Sequence, residues 1–216
     1  MTQIHGRVHP AKIPLARLGG KPILIQVVDV FQKCDTIGQI VVVLSEQNLE
    51  KGRLLLAKHD WPKMVEVCPG GARRQESVLA GLNRLTDCDW VVVHDCARPL
   101  VTEDLIERGL EAVQETGAGI AAVPVTDTIK MVVEGQFVLG TPPRQHLWVA
   151  QTPQVFRFDI ITEAHRHAKD EVTDDATLVE RLGHRVKLYL GSYHNIKITT
   201  PDDLALARLL WRKYGK

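Results

Sequence analysis

The sequence predicts an α/β domain, doubly wound around a mostly parallel sheet, and three observations predict it. Short β-branched runs alternate with amphipathic segments along the chain. The runs are apolar at every position rather than at every second one. The 216 residues suffice for one such domain and not comfortably for two, so residues 1–216 read as a single domain. Unbroken apolar runs mark strands covered on both faces, as βαβ units cover them.

The strand candidates are 40–44 (IVVVL), 90–94 (WVVVH), 120–125 (IAAVPV) and 186–190 (VKLYL), with a weaker one at 64–67 before the turn signal Pro69-Gly70-Gly71. Helices are predicted at 23–33, 49–59, 75–85, 104–115, 160–168 and 176–182. Thr102 before Glu103 and Asp104 puts acids where a helix dipole favours them. Thr200-Pro201-Asp202-Asp203 is an N-cap, a first-turn proline and two acids, and opens a last helix running through Lys213. Gly183 suits a C-cap.

Two stretches depart from the alternation. Residues 126–151 turn polar and contain Gly135, Gly140, Pro142 and Pro143; 131–133 and 137–139 flank Glu134-Gly135-Gln136 as a small hairpin would. That insertion reads either as an arm that packs on another subunit or as a plain surface excursion. The opening is the second departure. Residues 1–18 hold no strand-like run, although a doubly wound sheet normally places its first strand centrally. The expected consequence is a gap in the middle of the sheet.

Composition narrows the function. A formal net charge of +1 gives no basic footprint for a nucleic acid polymer. No apolar run reaches the ~18 residues of a membrane helix, and the first residues lack a signal-peptide core, so a cytoplasmic location is expected. Cys34, Cys68, Cys88 and Cys96 form no C-x-x-C pair and read as ordinary buried thiols. The histidines show no metal-binding spacing, and no nucleophile elbow occurs.

Ligands of open α/β sheets bind beyond the carboxyl ends of the strands, and four polar clusters fall there. His94-Asp95-Cys96-Ala97-Arg98 follows an apolar strand; Asp95 suits a ribose or a divalent metal and Arg98 a phosphate, unless the two pair with each other. Gly70-Gly71-Ala72-Arg73-Arg74-Gln75-Glu76-Ser77 is either a plain turn or a loop whose backbone receives an anion or a base edge. Thr126-Asp127-Thr128-Ile129-Lys130 is ambiguous alone. In Asn195-Ile196-Lys197-Ile198, the lysine points away from its isoleucine neighbours and toward a cleft, or is a surface lysine. With no obvious nucleophile or base, the inventory suits phosphoryl or nucleotidyl transfer, where positioning and charge stabilisation supply most of the catalysis.

At LGGKPIL (18–24), GGARRQESVLAGL (70–82), VVVHDCARP (91–99), PVTDTIK (124–130), LWVAQTPQVF (147–156), VTDDATLVERLG (172–183) and NIKITTPDDLALA (195–207) the chain resembles the 2-C-methyl-D-erythritol 4-phosphate cytidylyltransferase family. The resemblance implies a Rossmann-like nucleotidyltransferase fold with a protruding β-arm. It also implies transfer of a cytidylyl group from CTP to the polyol phosphate, with Mg²⁺, pyrophosphate release and a homodimer. It implies a cytidine pocket at Gly71, Arg74 and Ser77, and Asp95 beside the ribose and Mg²⁺. Arg98, Thr128, Arg144, Thr173 and Lys197 would surround the substrate, Arg144 and Lys197 positioning its phosphate, with 126–151 as the dimer arm. Lys12 would match a catalytic lysine of the family.

The sequence also departs from that pattern. The family's opening loop, P-A-A-G-x-G-x-R-M, does not occur, Cys96 stands at a usual alanine and His194 at a usual acid. Two further readings follow: a ribitol-5-phosphate cytidylyltransferase, which shares the cytidine blocks, and an N-terminally incomplete chain with little turnover that keeps the fold.

Overall fold

The computed structural model describes residues 13–215; the candidate Lys12 lies outside them. In chain order the elements are β1 (Arg17–Leu18), β2 (Lys21–Pro22), α1 (Ile23–Lys33), β3 (Ile40–Leu44), α2 (Glu46–Leu56), β4 (Met64–Pro69), α3 (Arg74–Leu82), β5 (Trp90–Val93), α4 (Glu103–Ala112), β6 (Ala118–Pro124), β7 (Met131–Val132), β8 (Val138–Gly140), β9 (Trp148–Arg157), α5 (Phe158–Arg166), α6 (Asp175–Arg181), β10 (Lys187–Leu190) and α7 (Pro201–Tyr214). The predicted elements are all present, with ends shifted by up to a few residues.

The chain is wound on both faces of its sheet, and alternation along single strands shows it. Val92 and Ala121 pack with α1, α4 and α7, whereas their neighbours Val91 and Ile120 pack with α3, α5 and α6. Successive strand residues point to opposite faces, so the two helix sets lie on opposite sides. A third apolar cluster joins α1 and α2 to β3 and β4.

The expected gap is there. Strands β3 and β4 pair in parallel as one two-stranded sheet, and β10-β6-β9-β5 form another, with no ladder between β3 and β5 among the described residues. A cavity of about 840 Å³ separates those edges, lined by Val41, Val43, Val91 and Val93 and by apolar side chains of α1 and α3.

The element absent from the sequence reading is β9. It runs antiparallel between β5 and β6, so the larger sheet is mixed rather than parallel throughout. Gln151, Thr152, Pro153 and Gln154 interrupt the apolar pattern that a buried strand shows. They are nevertheless buried, and burial of polar groups requires partners. Gln154 Nε2 donates to Asp174 Oδ2 at 3.1 Å, and Gln151 Nε2 to the Ser192 carbonyl at 2.9 Å. A second small addition is the β1–β2 turn, where Gly19 and Gly20 adopt φ of 56° and 85°. A Cβ on Gly19 would overlap the Trp211 ring, so both backbone and space call for glycine.

Helix ends follow the sequence signals. Thr102 Oγ1 accepts from Leu105 N at 3.2 Å. Thr200 and Asp203 form a reciprocal capping box with Pro201 at the first turn. Gly183 ends α6 at φ 85°. The predicted hairpin is β7 and β8, joined by a 3₁₀ turn at Glu134–Gln136. Its side chains are largely bare: Phe137 is 74% and Leu139 67% exposed.

Candidate active site

Asp95 stands two residues past the end of β5, and its carboxylate sits between two cations. Lys197 Nζ lies 2.7 Å from Oδ2, and Arg74 Nε 3.3 Å from Oδ1. Burial alone would push this carboxyl up, but Arg74 and then Lys197 outweigh it and hold its pKa at about 2. Arg74 is shared. Its Nη1 lies 2.7 Å from Oδ2 of Asp175, whose other oxygen, Oδ1, lies 3.1 Å from His165 Nε2. Burial disfavours the Arg74 cation, yet Asp175 and Asp95 together raise its pKa. The candidate pairing of Asp95 with Arg98 does not form; Asp95 takes Arg74 and Lys197 instead.

Arg98 has a different setting. Only 9% exposed, it donates from Nη1 to the Asn195 carbonyl at 2.7 Å and from Nη2 to the Ala150 carbonyl at 3.4 Å. Its Nε has no partner among the described residues, and no carboxylate lies within ion-pair distance there. Desolvation lowers its pKa, with Asp95 pulling the other way. A buried cation neutralised only by carbonyl dipoles is costly by itself. An incoming anion offsets that cost.

Backbone and side chain fix these groups together. Thr152 Oγ1 accepts from Asp95 N at 3.0 Å and lies 3.1 Å from His94 Nδ1. His94 Nε2 is 3.1 Å from the Arg98 carbonyl, which can only accept. The ring proton therefore sits on Nε2, and Nδ1 receives the Thr152 hydroxyl. Desolvation lowers the His94 pKa to about 4, consistent with a neutral ring. Asn195, fully buried, donates from Nδ2 to the Thr152 carbonyl at 2.8 Å. His94, Asp95 and Cys96 are half-buried and line the cavity.

The Gly70-Gly71 loop resolves into a cap. Glu76 folds back so that Oε2 accepts from Arg73 N at 3.1 Å, and a Cβ on Gly71 would strike the Glu76 side chain. Packing thus accounts for the second glycine. Arg74 and Ser77, one turn apart on α3, line the cavity with Asp95, and Ser77 Oγ donates to the Arg73 carbonyl at 3.2 Å.

Of the sequence candidates, Arg74, Asp95, Arg98 and Lys197 are brought together, with Ser77 beside them. Thr173 is exposed in the loop just before Asp174 and Asp175. Thr128 and Arg144 are exposed on the arm, where Arg144 Nη1 donates to the Thr126 carbonyl at 2.7 Å. No described hydrogen bond or ion pair ties either of them to Asp95. Sequence reasoning missed Asp175 and His165. Their signal was weak, one of two adjacent acids in VTDDATLV and one histidine of nine.

A helix-covered α/β sheet with Asp95, Arg98 and Lys197 converging past its strand ends defines a nucleotidyltransferase of the Rossmann-like class. Residues 9–213 match the model of the family IspD: 2-C-methyl-D-erythritol 4-phosphate cytidylyltransferase. The chain belongs to that family. A 2-C-methyl-D-erythritol 4-phosphate cytidylyltransferase of Dehalococcoides mccartyi strain 195 is 48% identical over 198 residues, 92% of this chain and 87% of the relative. One of Bacillus licheniformis is 43% identical, over 88% of this chain and 84% of the relative. Among solved structures, 4-diphosphocytidyl-2C-methyl-D-erythritol synthase of Anaerococcus prevotii superposes with a TM-score of 0.85 at 29% identity, covering 94% of this chain and 91% of that one. The Thermus thermophilus 2-C-methyl-D-erythritol 4-phosphate cytidylyltransferase gives 0.78 at 34% identity, covering 94% and 96%.

Proposed function

We propose that this protein transfers a cytidylyl group from CTP to 2-C-methyl-D-erythritol 4-phosphate, releasing pyrophosphate. The observation that carries the reading is Arg98, a buried cation without a carboxylate, at the same strand ends as Lys197. Together they offer two positive charges to a phosphate dianion. That phosphate is already ionised at neutral pH and attacks the α-phosphorus of CTP without a general base, so alignment supplies the rate. Arg74, Ser77 and the backbone around Gly71 line the nucleotide side, and Asp95 lies between the two partners. Thr173 borders the polyol side.

A divalent cation fits this site in one way only. Among the described residues no group of three or more His, Cys, Asp or Glu converges as metal ligands, and both oxygens of Asp95 already face cations. Mg²⁺ commonly binds through one carboxylate plus substrate phosphates, and Asp95 suits that mode. Bound there, the ion would neutralise charge on the departing pyrophosphate.

The arm supports a homodimer. Phe137, Val138 and Leu139 are each at least 60% exposed, which is unusual for contiguous apolar residues on a monomer. A second copy covering them would also bring its Arg144 and Thr128 toward this cleft. No described helix is long and apolar enough to cross a membrane, which supports our placing the protein in the cytoplasm. The ribitol-phosphate alternative finds no support in the names of the relatives above.

The test is an assay with CTP and Mg²⁺ and either methylerythritol 4-phosphate or ribitol 5-phosphate. CDP-methylerythritol with one pyrophosphate per product is expected, and no CDP-ribitol. Preference for ribitol phosphate would overturn the assignment of substrate.

A further inference from the structure

We propose that Asp175 and His165 are positioning residues for the nucleotide pocket, acting through Arg74. Four contacts run in series from the interior to the cleft: His165 Nε2 to Asp175 Oδ1 at 3.1 Å, Asp175 Oδ2 to Arg74 Nη1 at 2.7 Å, Arg74 Nε to Asp95 Oδ1 at 3.3 Å, and Asp95 Oδ2 to Lys197 Nζ at 2.7 Å. The 2.7 Å contact of Arg74 is an ion pair not aligned as a hydrogen bond. The inner pair is sealed, with side-chain exposures of 1% for His165 and 0% for Asp175.

Capping of α6 does not call for Asp175. The N-cap of α6 is already provided by Asp174, whose Oδ1 accepts from Thr177 N at 3.1 Å. Asp175, the next residue, instead spends a buried carboxylate on Arg74, at the start of a different helix. Burying such a group is unfavourable unless it is paired and hydrogen-bonded. His165 meets that need. An ionised carboxylate only accepts, so Nε2 carries the proton, and the ring fixes which way Asp175 faces. With Nη1 held by Asp175 and Nε by Asp95, the guanidinium plane is set at two points. Its Nη2 has no partner among the described residues, and Arg74 lines the cavity beside Ser77 and Asp95. The arrangement presents one oriented donor to a nucleotide, where a single-point contact would leave the fork free to rotate.

This inference rests on the nucleotide reading of the pocket, and a double-mutant cycle on CTP affinity separates the two. Calorimetry with CTP and Mg²⁺ is run on the full chain, on Asp175→Asn, on Arg74→Met and on the double variant. Asp175→Asn is expected to weaken CTP roughly tenfold, about the worth of one well-oriented charge-assisted hydrogen bond. In the Arg74→Met background it is expected to cost nothing more, because residues acting as one unit are not additive. His165→Gln keeps a donor toward Asp175 and is expected to lose less affinity than His165→Leu; this pair serves if Asp175→Asn does not fold. Equal CTP affinity with and without the Asp175 carboxylate, or the same loss in both backgrounds, would overturn the positioning role. Absence of CTP binding by the unaltered protein would overturn the nucleotide reading and this role with it.

Discussion

Lys197 Nζ lies 2.7 Å from Asp95 Oδ2, joining a loop after β10 to the end of β5 across 102 positions of sequence. The pair is partly open, with Lys197 43% exposed, so its weight in folding is small, about 0–1 kcal/mol. Its weight in transfer is expected to be much larger. Lys197→Ala should lower kcat/KM by about 10²–10³, the usual cost of one charge-stabilising donor, while the melting temperature and CTP affinity stay nearly unchanged. Parallel loss of CTP affinity would show that Lys197 serves the nucleotide instead.

Acid stability is predicted to fall in two stages. His94 is held to about 4, below its unfolded value, so between about pH 6.5 and 4 the unfolded chain takes up a proton that the folded one refuses. Stability falls with pH across that window, by at most on the order of 3 kcal/mol. Asp95, held at about 2, adds a stage below about pH 4, where its unfolded form protonates first. Denaturant melts of His94→Asn should lose the upper stage and keep the lower one. An unchanged upper stage would assign it to another group.

How much of this was legible beforehand differs between helices and sheet. Periodicity and caps carried α1 and α7 because their signals are local: an apolar face in one, Thr200-Pro201 and Asp203 in the other. β9 stayed hidden because its interior residues Gln151 to Gln154 satisfy their polar groups through partners as distant as Asp174 and Ser192, which no window on the sequence contains. The site divides the same way. Asp95, Arg98 and Lys197 stand next to apolar strand-like runs and could be picked out. Asp175 and His165 act from inside helix faces, where an acid and a histidine look like any others.

Cys96 sits inside the most informative motif and is predicted to be inert. Burial pushes its thiol up to about 12, with Asp95 adding to the effect, so almost no thiolate exists at neutral pH. Iodoacetamide at about pH 8, where an ordinary cysteine is partly ionised, should leave Cys96 unlabelled in the folded protein. Rapid labelling mapped to Cys96 by mass spectrometry would contradict this.

The arm is predicted to hold two copies together. Phe137 is 74% exposed and Phe137→Glu places a charge where apolar contact is required, so sedimentation should show a shift from dimer to monomer. Arg144→Ala should preserve the dimer yet reduce product formation about as strongly as Lys197→Ala. A monomeric unaltered protein would remove the arm from the assembly.

Affinity for methylerythritol 4-phosphate, measured by calorimetry on the unaltered protein, Arg98→Lys and Lys197→Ala, tests the phosphate site without requiring turnover. Binding should weaken at least about tenfold in each variant, a loss of about 1.4 kcal/mol or more, since Lys197→Ala removes a charge-assisted contact and Arg98→Lys replaces the fixed guanidinium fork with a single ammonium. Identical affinity in all three proteins would mean that the polyol phosphate binds elsewhere, and the alignment of two phosphates over these strand ends would be wrong.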